Sequence, residues 1–353
     1  MTTAYLNRVA TAVPAHDVHD AFVRHATRAL DARQASVFTR MVDKAQIAHR
    51  FSVLAPEQHP DSTARAGFYA GGGYPTTAER MRAYQAHAPV LAERAVGGLH
   101  LGSAPGVTHL VVTSCTGFYA PGVDMDIVER CGLDPSVERT VVGFMGCSAA
   151  MNGMKLAHHI VRSEPGARVL LVSLELCSLH LQETDTLEQL LSFLLFADGC
   201  AAALVSAAPE GLAIDGFRSV LVPETRGLIT WNIGDSGFDM FLSGKVPSAI
   251  EHGLATCAGE VLDGAKPEDI DLWAVHPGGR TILDAVERAL SLPRSALSPS
   301  RDVLREMGNM SSATVLFVLQ RTLAKARAGQ RGCAMAFGPG LVAETMRFHT
   351  EAS

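Results

Sequence analysis

Short, mostly apolar runs alternate with longer amphipathic segments in the first half of the chain, and the alternation predicts strands followed by helices. The apolar runs predict buried strands over 109–113, 140–144, 167–174 and 200–206. Apolar positions at helical spacing predict helices over 16–46, 76–98, 121–131, 148–162 and 186–194. Segment 51–73, with its prolines and three consecutive glycines, predicts a loop. This order of elements is typical of a layered α/β fold.

The second half of the chain repeats this order after a soft boundary near residues 207–211. Its predicted elements are, in order, a helix over 246–262, a strand over 272–275, helices over 281–290 and 311–328, and a strand over 332–337. We therefore expect two similar α/β halves packed together, one over 1–207 and one over 208–353.

Composition and charge narrow the classes of protein to consider. Hydrophobic residues make up 47% of the 353 residues and charged residues 19%, so the chain can bury a sizeable core. Thirty Lys and Arg against 36 Asp and Glu give a net charge of −6, which favours neither nucleic acid nor an anionic membrane as a partner. No apolar run reaches the length of a membrane span and no secretory signal opens the chain, so we expect a cytoplasmic protein.

One of the seven cysteines stands in a distinctive position. Their odd number and their spacing argue against a disulfide framework and a structural zinc site, and we expect no metal. Cys147 lies where a β-branched strand turns through Gly146 into a helix of small residues. Unpaired N–H groups and the dipole at a helix N-terminus favour a thiolate there. From these residues alone, a catalytic cysteine and a buried structural cysteine remain about equally good interpretations.

A histidine and an asparagine follow Cys147 at positions that suit catalysis. His276 ends a predicted strand and opens a Pro-Gly-Gly loop, and Asn309 lies in a Gly-Asn turn before a helix. Either residue alone fits an ordinary loop histidine or a helix cap. In the order Cys, His, Asn they fit nucleophilic thioester chemistry. A papain-like hydrolase has the same order but places its cysteine near the N-terminus, whereas 146 residues precede Cys147.

Five ordered motifs resemble those of one family, and they run through most of the chain. GCSAAMNG, LLFADGCAAALV, AVHPGGRTILDAVE, GNMSSATVLFVL and AFGPGLVAET resemble motifs of the type III polyketide synthases, the chalcone and stilbene synthase family of the thiolase fold. The resemblance implies two similar halves in an α-β-α-β-α layered structure. It also implies a homodimeric acyltransferase that takes malonyl-CoA and an acyl-CoA starter and needs no cofactor.

The resemblance assigns roles to residues of these motifs. Cys147 would be the nucleophile that carries the starter and the growing chain, and His276 and Asn309 would form the decarboxylation and oxyanion site. Phe196 would be the gate between the CoA tunnel and the cavity, although a core aromatic is the alternative. The residues implied for CoA binding are Arg40, Lys44, Gly278 and Gly279. Val37 stands where the family has a third basic residue.

The resemblance also implies the lining of a product-forming cavity. Its implied residues are Cys115, Ala120, Glu175, Cys177, His180, Trp231, Ser311, Gly338, Pro339 and Gly340. Trp231 lies near a position where the family places a cavity phenylalanine, and its alternative is a packed core residue. The implied reaction is a decarboxylative Claisen condensation followed by cyclisation to a pyrone, a resorcinol or a related aromatic. A ketoacyl-acyl-carrier-protein synthase III shares Cys, His and Asn and is the alternative, but it usually has His-Gln-Ala where this chain has His-Pro-Gly-Gly.

Overall fold

The computed structural model of the chain describes residues 2–60, 67–69, 74–102 and 106–351. Its strands are β1 Tyr5–Ala12, β2 His16–Asp17, β3 Phe51–Ser52, β4 His109–Ser114, β5 Glu138–Gly143, β6 Arg168–Leu176, β7 Asp198–Ser206, β8 Leu212–Leu221, β9 Ile229–Gly234, β10 Gly237–Leu242, β11 Leu272–Val275, β12 Arg331–Gly338 and β13 Val342–Thr350. Its helices are α1 His19–Ala29, α2 Ala32–Ala45, α3 Thr77–Gly97, α4 Val123–Arg130, α5 Ala149–Ser163, α6 Leu187–Phe193, α7 Val246–Val261, α8 Arg280–Ala289, α9 Ser298–Met307 and α10 Thr314–Leu323.

Hydrogen bonds join most of the strands of both halves into one sheet. In the described part of the chain its order is β11-β12-β13-β8-β1-β7-β6-β4-β5. Strands β4, β5 and β6 pair in parallel, as strands separated by helices do, while β7 is antiparallel to β6. The N-terminal strand β1 lies in the middle, where Tyr5 and Leu6 pair with Ala213 and Leu212 of β8. This short pairing connects the two halves.

Three apolar clusters confirm the expected α-β-α-β-α layers. One cluster packs α3 against the outer face of the first half, and another packs α7 and α8 against the outer face of the second half. The third surrounds α5 and α10, which lie between the halves. Gly153 lets α5 approach closely, because a Cβ there would lie 2.6 Å from Leu171 Cδ1 and 2.9 Å from Thr113 Cγ2.

Several helices and strands of the structure differ from those that the sequence predicted. The helix expected over 16–46 is two helices, since Asp31 caps α2 and forms a capping box with Gln34. The helix expected over 311–328 begins at Thr314 after one tight turn. Strands β1, β8 and β13, the β9–β10 hairpin and helix α9 were not predicted. Of the loop expected over 51–73, residues 61–66 and 70–73 lie outside the described residues.

Within the described ranges, no helix combines the length and the apolar character that a membrane crossing requires.

Candidate active site

One large apolar cavity brings together most of the residues that the sequence predicted for the site. Its empty volume is about 920 Å³, which includes space open to solvent. The predicted residues that line it are Cys115, Cys147, Cys177, His180, Phe196, Trp231, His276, Gly278, Asn309, Ser311 and Pro339. Cys147, His276 and Asn309 come from three separate segments, so the fold assembles them at one place.

Cys147 sits in a tight turn directly before α5. Gly146 makes this turn possible: its φ is +59°, and a Cβ would lie 2.3 Å from Pro339 Cδ. Gly338 packs behind the same turn, where a Cβ would lie 2.3 Å from Ser148 Oγ. The 338–340 loop therefore holds the cysteine turn in place, and of its residues Pro339 reaches the cavity.

The electrostatic surroundings of Cys147 oppose a free thiolate. Burial raises the pKa of its thiol to about 11, and the nearby charge of Glu175 acts in the same direction. Hydrogen bonds from Ser311 and Asn309 lower this pKa, and Cys147 Sγ lies 3.7 Å from Ser311 Oγ. Burial outweighs them in the empty cavity, so the resting sulfur is a thiol.

His276 is almost completely buried at the end of β11. Its backbone N–H donates to the carbonyl oxygen of Met335 at 2.7 Å, but neither ring nitrogen has a hydrogen-bond partner in the described part of the chain. Burial lowers the pKa of the imidazole to about 3. His276 is therefore neutral, it borders the cavity, and neither of its ring nitrogens is held by a described residue.

The side-chain amide of Asn309 is held from both ends. Its Oδ1 accepts the backbone N–H of Ser311 at 2.9 Å, and its Nδ2 donates to the carbonyl oxygen of Gly278 at 3.2 Å. These two bonds identify which side-chain atom of Asn309 is the oxygen and which is the nitrogen. The other Nδ2 hydrogen is directed to Cys147, whose pKa it lowers, and Asn309 borders the cavity. Asn309 therefore presents a pre-oriented donor beside the cysteine.

Glu175 lies behind the cavity wall rather than in its lining. Its Oε2 accepts from the backbone N–H of Cys115 at 3.0 Å and from Thr116 Oγ1 at 2.8 Å, and its Oε1 accepts from Ser312 Oγ at 2.5 Å. Burial raises the pKa of this carboxyl to about 7, although these hydrogen bonds act against the rise. Glu175 thus fixes the Cys115–Thr116 backbone that forms one wall.

An aromatic group adjoins this wall. The Trp231 indole N–H donates to the carbonyl oxygen of Cys115 at 2.7 Å, so the β9 tryptophan is tied to the end of β4. His180 accepts the backbone N–H of Phe238 on Nδ1 at 3.0 Å and donates from Nε2 to the carbonyl oxygen of Thr116 at 2.7 Å. Burial lowers the pKa of His180 to about 3. With both nitrogens occupied, His180 supports the wall and offers no free acid or base.

Several predicted residues lie elsewhere. Ala120 is exposed on the outer surface near Phe118 and does not line the cavity of its own chain, because the loop after β4 turns outward. Arg40 and Lys44 are exposed on α2. Gly279 precedes α8 and contacts the Leu195 side chain, and Gly340 donates its N–H to the carbonyl oxygen of Ile229 at 3.1 Å.

Sequence reasoning missed much of the apolar lining. The hairpin β9–β10 and the start of α7 add five lining residues: Ile229, Met240, Leu242, Val246 and Ile250. The alternation of apolar and polar letters in GFDMFL was a signal for a strand with one buried face. Among the described residues, no group of three or more His, Cys, Asp or Glu is placed to hold a metal ion.

Two family profiles match almost the whole chain. The N-terminal domain of chalcone and stilbene synthases matches residues 4–209, and the C-terminal domain matches residues 216–351. The chain is 35% identical over 366 residues to the alpha-pyrone synthesis polyketide synthase-like Pks18 of Mycobacterium tuberculosis, covering 98% of this chain and 91% of that protein. It is 38% identical over 267 residues to bisdemethoxycurcumin synthase of Oryza sativa subsp. japonica, covering 70% of this chain and 66% of that protein.

Solved structures show the same fold. PKS-I of the brown alga Ectocarpus siliculosus superposes with a TM-score of 0.84 at 30% identity, covering 99% of both chains. The C-terminal type III polyketide synthase domain of Steely1 from Dictyostelium superposes with a TM-score of 0.89 and covers 99% of this chain and 100% of that chain. At 23% identity the second likeness concerns the fold alone.

Proposed function

The chain belongs to the chalcone and stilbene synthase family, which makes it a type III polyketide synthase and an acyltransferase, and we propose that Cys147, His276 and Asn309 carry its condensation reaction. The observation that supports this assignment most strongly is their meeting at one apolar cavity. In the first step, Cys147 attacks the carbonyl carbon of an acyl-CoA starter, and the bond from that carbon to the CoA sulfur breaks. His276 takes the proton of the Cys147 thiol during this attack and passes it to the CoA sulfur, so CoA leaves as a thiol.

The buried site favours a step in which the charges of Cys147 and His276 appear together. Burial disfavours both a lone thiolate and a lone imidazolium, so each charge exists only while the other is beside it. The start of α5 adds unpaired N–H groups near the sulfur. Because the walls are largely apolar, water is kept from the acyl thioester that results.

Chain extension follows by decarboxylation of malonyl-CoA. Loss of CO₂ leaves an enolate, whose negative oxygen accepts a ring N–H of His276 and the Nδ2–H of Asn309 that does not bond Gly278. The enolate carbon attacks the thioester carbonyl on Cys147, which forms the new carbon–carbon bond and releases the sulfur. Phe196 borders the cavity where the CoA arm would enter. The steps use only groups of the chain and its substrates, and we propose that no metal or cofactor takes part.

The cavity supports cyclisation of a short polyketide to a pyrone or a resorcinol. Trp231 and the hairpin β9–β10 form its wall, so their bulk limits how the extended chain folds. An α-pyrone is the product named for the Mycobacterium relative. We propose that exposed Arg40 and Lys44 receive the CoA phosphates at the entrance.

We further propose that the enzyme is a homodimer. The family resemblance implies an interface on the cysteine-bearing helix α5 and its neighbours, and β5 is one of these neighbours. The outer edge of β5 is unpaired in the described sheet, and exposed apolar side chains surround it, namely Phe118, Val141 and Met145. A second copy of the chain fits this apolar, self-complementary edge. A monomer in sedimentation at micromolar concentration would refute the dimer.

The decisive experiment is to incubate the enzyme with malonyl-CoA and a panel of acyl-CoA starters and to identify products by mass spectrometry. We expect Cys147→Ala to form no extended product but to keep releasing CO₂ from malonyl-CoA, because His276 and Asn309 remain. A Cys147→Ala variant that still extends a starter would reject the nucleophile. Malonyl groups accepted only from an acyl carrier protein would favour the ketoacyl synthase III alternative.

A further inference from the structure

A fully buried arginine outside the cavity grips the segment that carries Phe196. Arg50 is 4% exposed, and its Nη1 donates to the carbonyl oxygens of Phe193 at 3.0 Å and Phe196 at 2.8 Å. Its Nε donates to His19 Nδ1 at 3.2 Å. Because the guanidinium is planar and rigid, these three bonds fix its plane and the two carbonyl groups relative to one another.

The gripped segment also pairs with the backbone of Asn309. Ala197 donates its N–H to the carbonyl oxygen of Asn309 at 2.9 Å, and Asn309 donates its N–H to the carbonyl oxygen of Leu195 at 2.8 Å. Phe196 and Asn309 thereby form a short parallel bridge. A displacement of residues 193–197 would therefore move Phe196 and Asn309 together.

Arg50 also packs against the turn that leads into Asn309. Gly308 has a φ of +72°, and a Cβ there would lie 2.9 Å from Arg50 Cγ and 3.1 Å from the carbonyl oxygen of Leu195. The side chain therefore touches the turn before Asn309 as well as the segment that pairs with it. Its position is fixed in turn by Val18, whose N–H donates to the Arg50 carbonyl oxygen at 2.8 Å.

The burial of the Arg50 charge costs free energy, so packing alone does not explain why an arginine lies here. Burial lowers the pKa of Arg50 to about 10, so the side chain remains a cation at neutral pH. A buried cation is costly, and no carboxylate forms a hydrogen bond or an ion pair with this guanidinium in the described part of the chain; the charges of Asp17 and Asp198 favour it from further away. Its contacts are backbone carbonyls, one imidazole and the face of Phe22 at 4.7 Å.

A second, smaller cavity lies on the other side of Phe196. Arg50, His59, Cys177, Phe193 and Phe196 help to line it, and Cys177, Phe193 and Phe196 also border the large cavity. Phe196 therefore separates two spaces. Without the Arg50 hydrogen bonds, its segment has room to relax away from the reacting groups.

We infer that Arg50 is a positioning residue for the condensation site, an inference that rests on the proposed function. Its side chain makes no hydrogen bond to Cys147, His276 or the Asn309 amide. It acts by holding the segment 193–197, and through it Phe196 and the Asn309 amide, in the geometry that the enolate requires. Small misplacements of such groups lower the rate constant more than they weaken substrate binding.

The test compares Arg50→Met and Arg50→Lys with wild type and with Arg301→Met. Arg301 is a matched control, because it is also mostly buried but pairs with Asp284 and Glu287 in the second half, away from the cavity. The assay is CO₂ release from malonyl-CoA, with kcat expressed per Cys147 that iodoacetamide labels. We expect Arg50→Met to lower kcat on the order of tenfold to a hundredfold with little change in KM. Arg50→Lys should be intermediate, and Arg301→Met should keep the wild-type kcat even if its melting temperature falls.

The outcomes separate this inference from the proposed function. A wild-type protein that releases no CO₂ from malonyl-CoA would reject the proposed function itself. Active wild type with unchanged kcat per labelled site in Arg50→Met, or with a change in KM alone, would overturn the positioning role. If Arg50→Met does not fold, Arg50→Lys is the deciding variant, because lysine keeps the charge but lacks the planar guanidinium. A wild-type kcat in Arg50→Lys would overturn the positioning role, and a reduced kcat would support it.

Discussion

The substitution Asn309→Asp separates the chemical role of the amide from its structural role. Asp keeps the shape of the side chain and an oxygen for the Ser311 N–H, which Asn309 Oδ1 accepts at 2.9 Å. It loses both Nδ2 hydrogens, of which one donates to the Gly278 carbonyl oxygen at 3.2 Å and the other is directed to Cys147. The variant should therefore fold but lack the donor that we assign to the enolate oxygen.

The two losses have different magnitudes. The lost bond to Gly278 lowers the free energy of unfolding by about 1 kcal/mol, and the unpaired carbonyl adds about 1–3 kcal/mol where it stays dry. The missing oxyanion donor costs about 3 kcal/mol in the transition state, which corresponds to about a hundredfold to a thousandfold in kcat. A charged Asp would also repel the enolate, so any residual activity should increase as the pH falls and the carboxyl becomes protonated.

The assay is again CO₂ release from malonyl-CoA, with thermal unfolding measured on the same preparation. Asn7→Asp is a suitable control, because the Asn7 amide donates at 2.9 and 3.0 Å to the carbonyl oxygens of Ala208 and Glu210, far along the chain from the cavity residues. It should lose stability without losing kcat. If Asn309→Asp releases CO₂ at the wild-type rate at pH 8, the oxyanion role is wrong.

Three further predictions follow from the cavity walls. His276→Ala should slow the alkylation of Cys147 by iodoacetamide at pH 7, because without a proton acceptor burial holds the pKa of the thiol near 11. The rate is measured on the Cys147 peptide, and an unchanged rate would reject proton transfer to His276. Trp231→Ala should change the ratio of products or admit longer starters, whereas lower stability with an unchanged product profile would identify Trp231 as a packing residue. Burial raises the pKa of Glu175 from 4.5 to about 7, so wild type should lose about 2.5 kcal/mol of unfolding free energy, relative to Glu175→Gln, as the pH rises from 5 to 8. An equal difference between the unfolding free energies of the two proteins at both pH values, measured in urea, would contradict this.

The sequence predicted the parts of the fold and site that local patterns encode. Cys147, His276 and Asn309 each follow a short apolar strand or a glycine turn and precede a helix, so their exposure at the end of an element is visible in the letters. The family resemblance then placed them in one site, and the cavity does bring them together. Their catalytic roles remain predictions.

Long-range pairing accounts for most of what the sequence did not predict. Strand β1 pairs with β7 and β8, about 200 residues later, and nothing in the letters of YLNRVATA announces that partner. Arg50 was one of 30 cations, and its burial depends on carbonyl groups more than a hundred residues away. Ala120 was assigned to the cavity from the family resemblance, whereas it is exposed and lies outside the cavity lining.

The pKa shifts of Cys147 and His276 restrict where charge can form during the reaction. Burial raises the pKa of Cys147 and lowers the pKa of His276, so the empty cavity holds both in neutral form. A site of this kind stabilises charge only where fixed donors already point, as Asn309 does through its bonds to Gly278 and Ser311. In the proposed mechanism the enolate and the thiolate therefore form at those donors, and a donor displaced by a loosened segment would leave the charge in an apolar wall. The role that we infer for Arg50 follows from this: it holds the segment whose backbone pairs with Asn309, and so it would govern the rate without taking part in the chemistry.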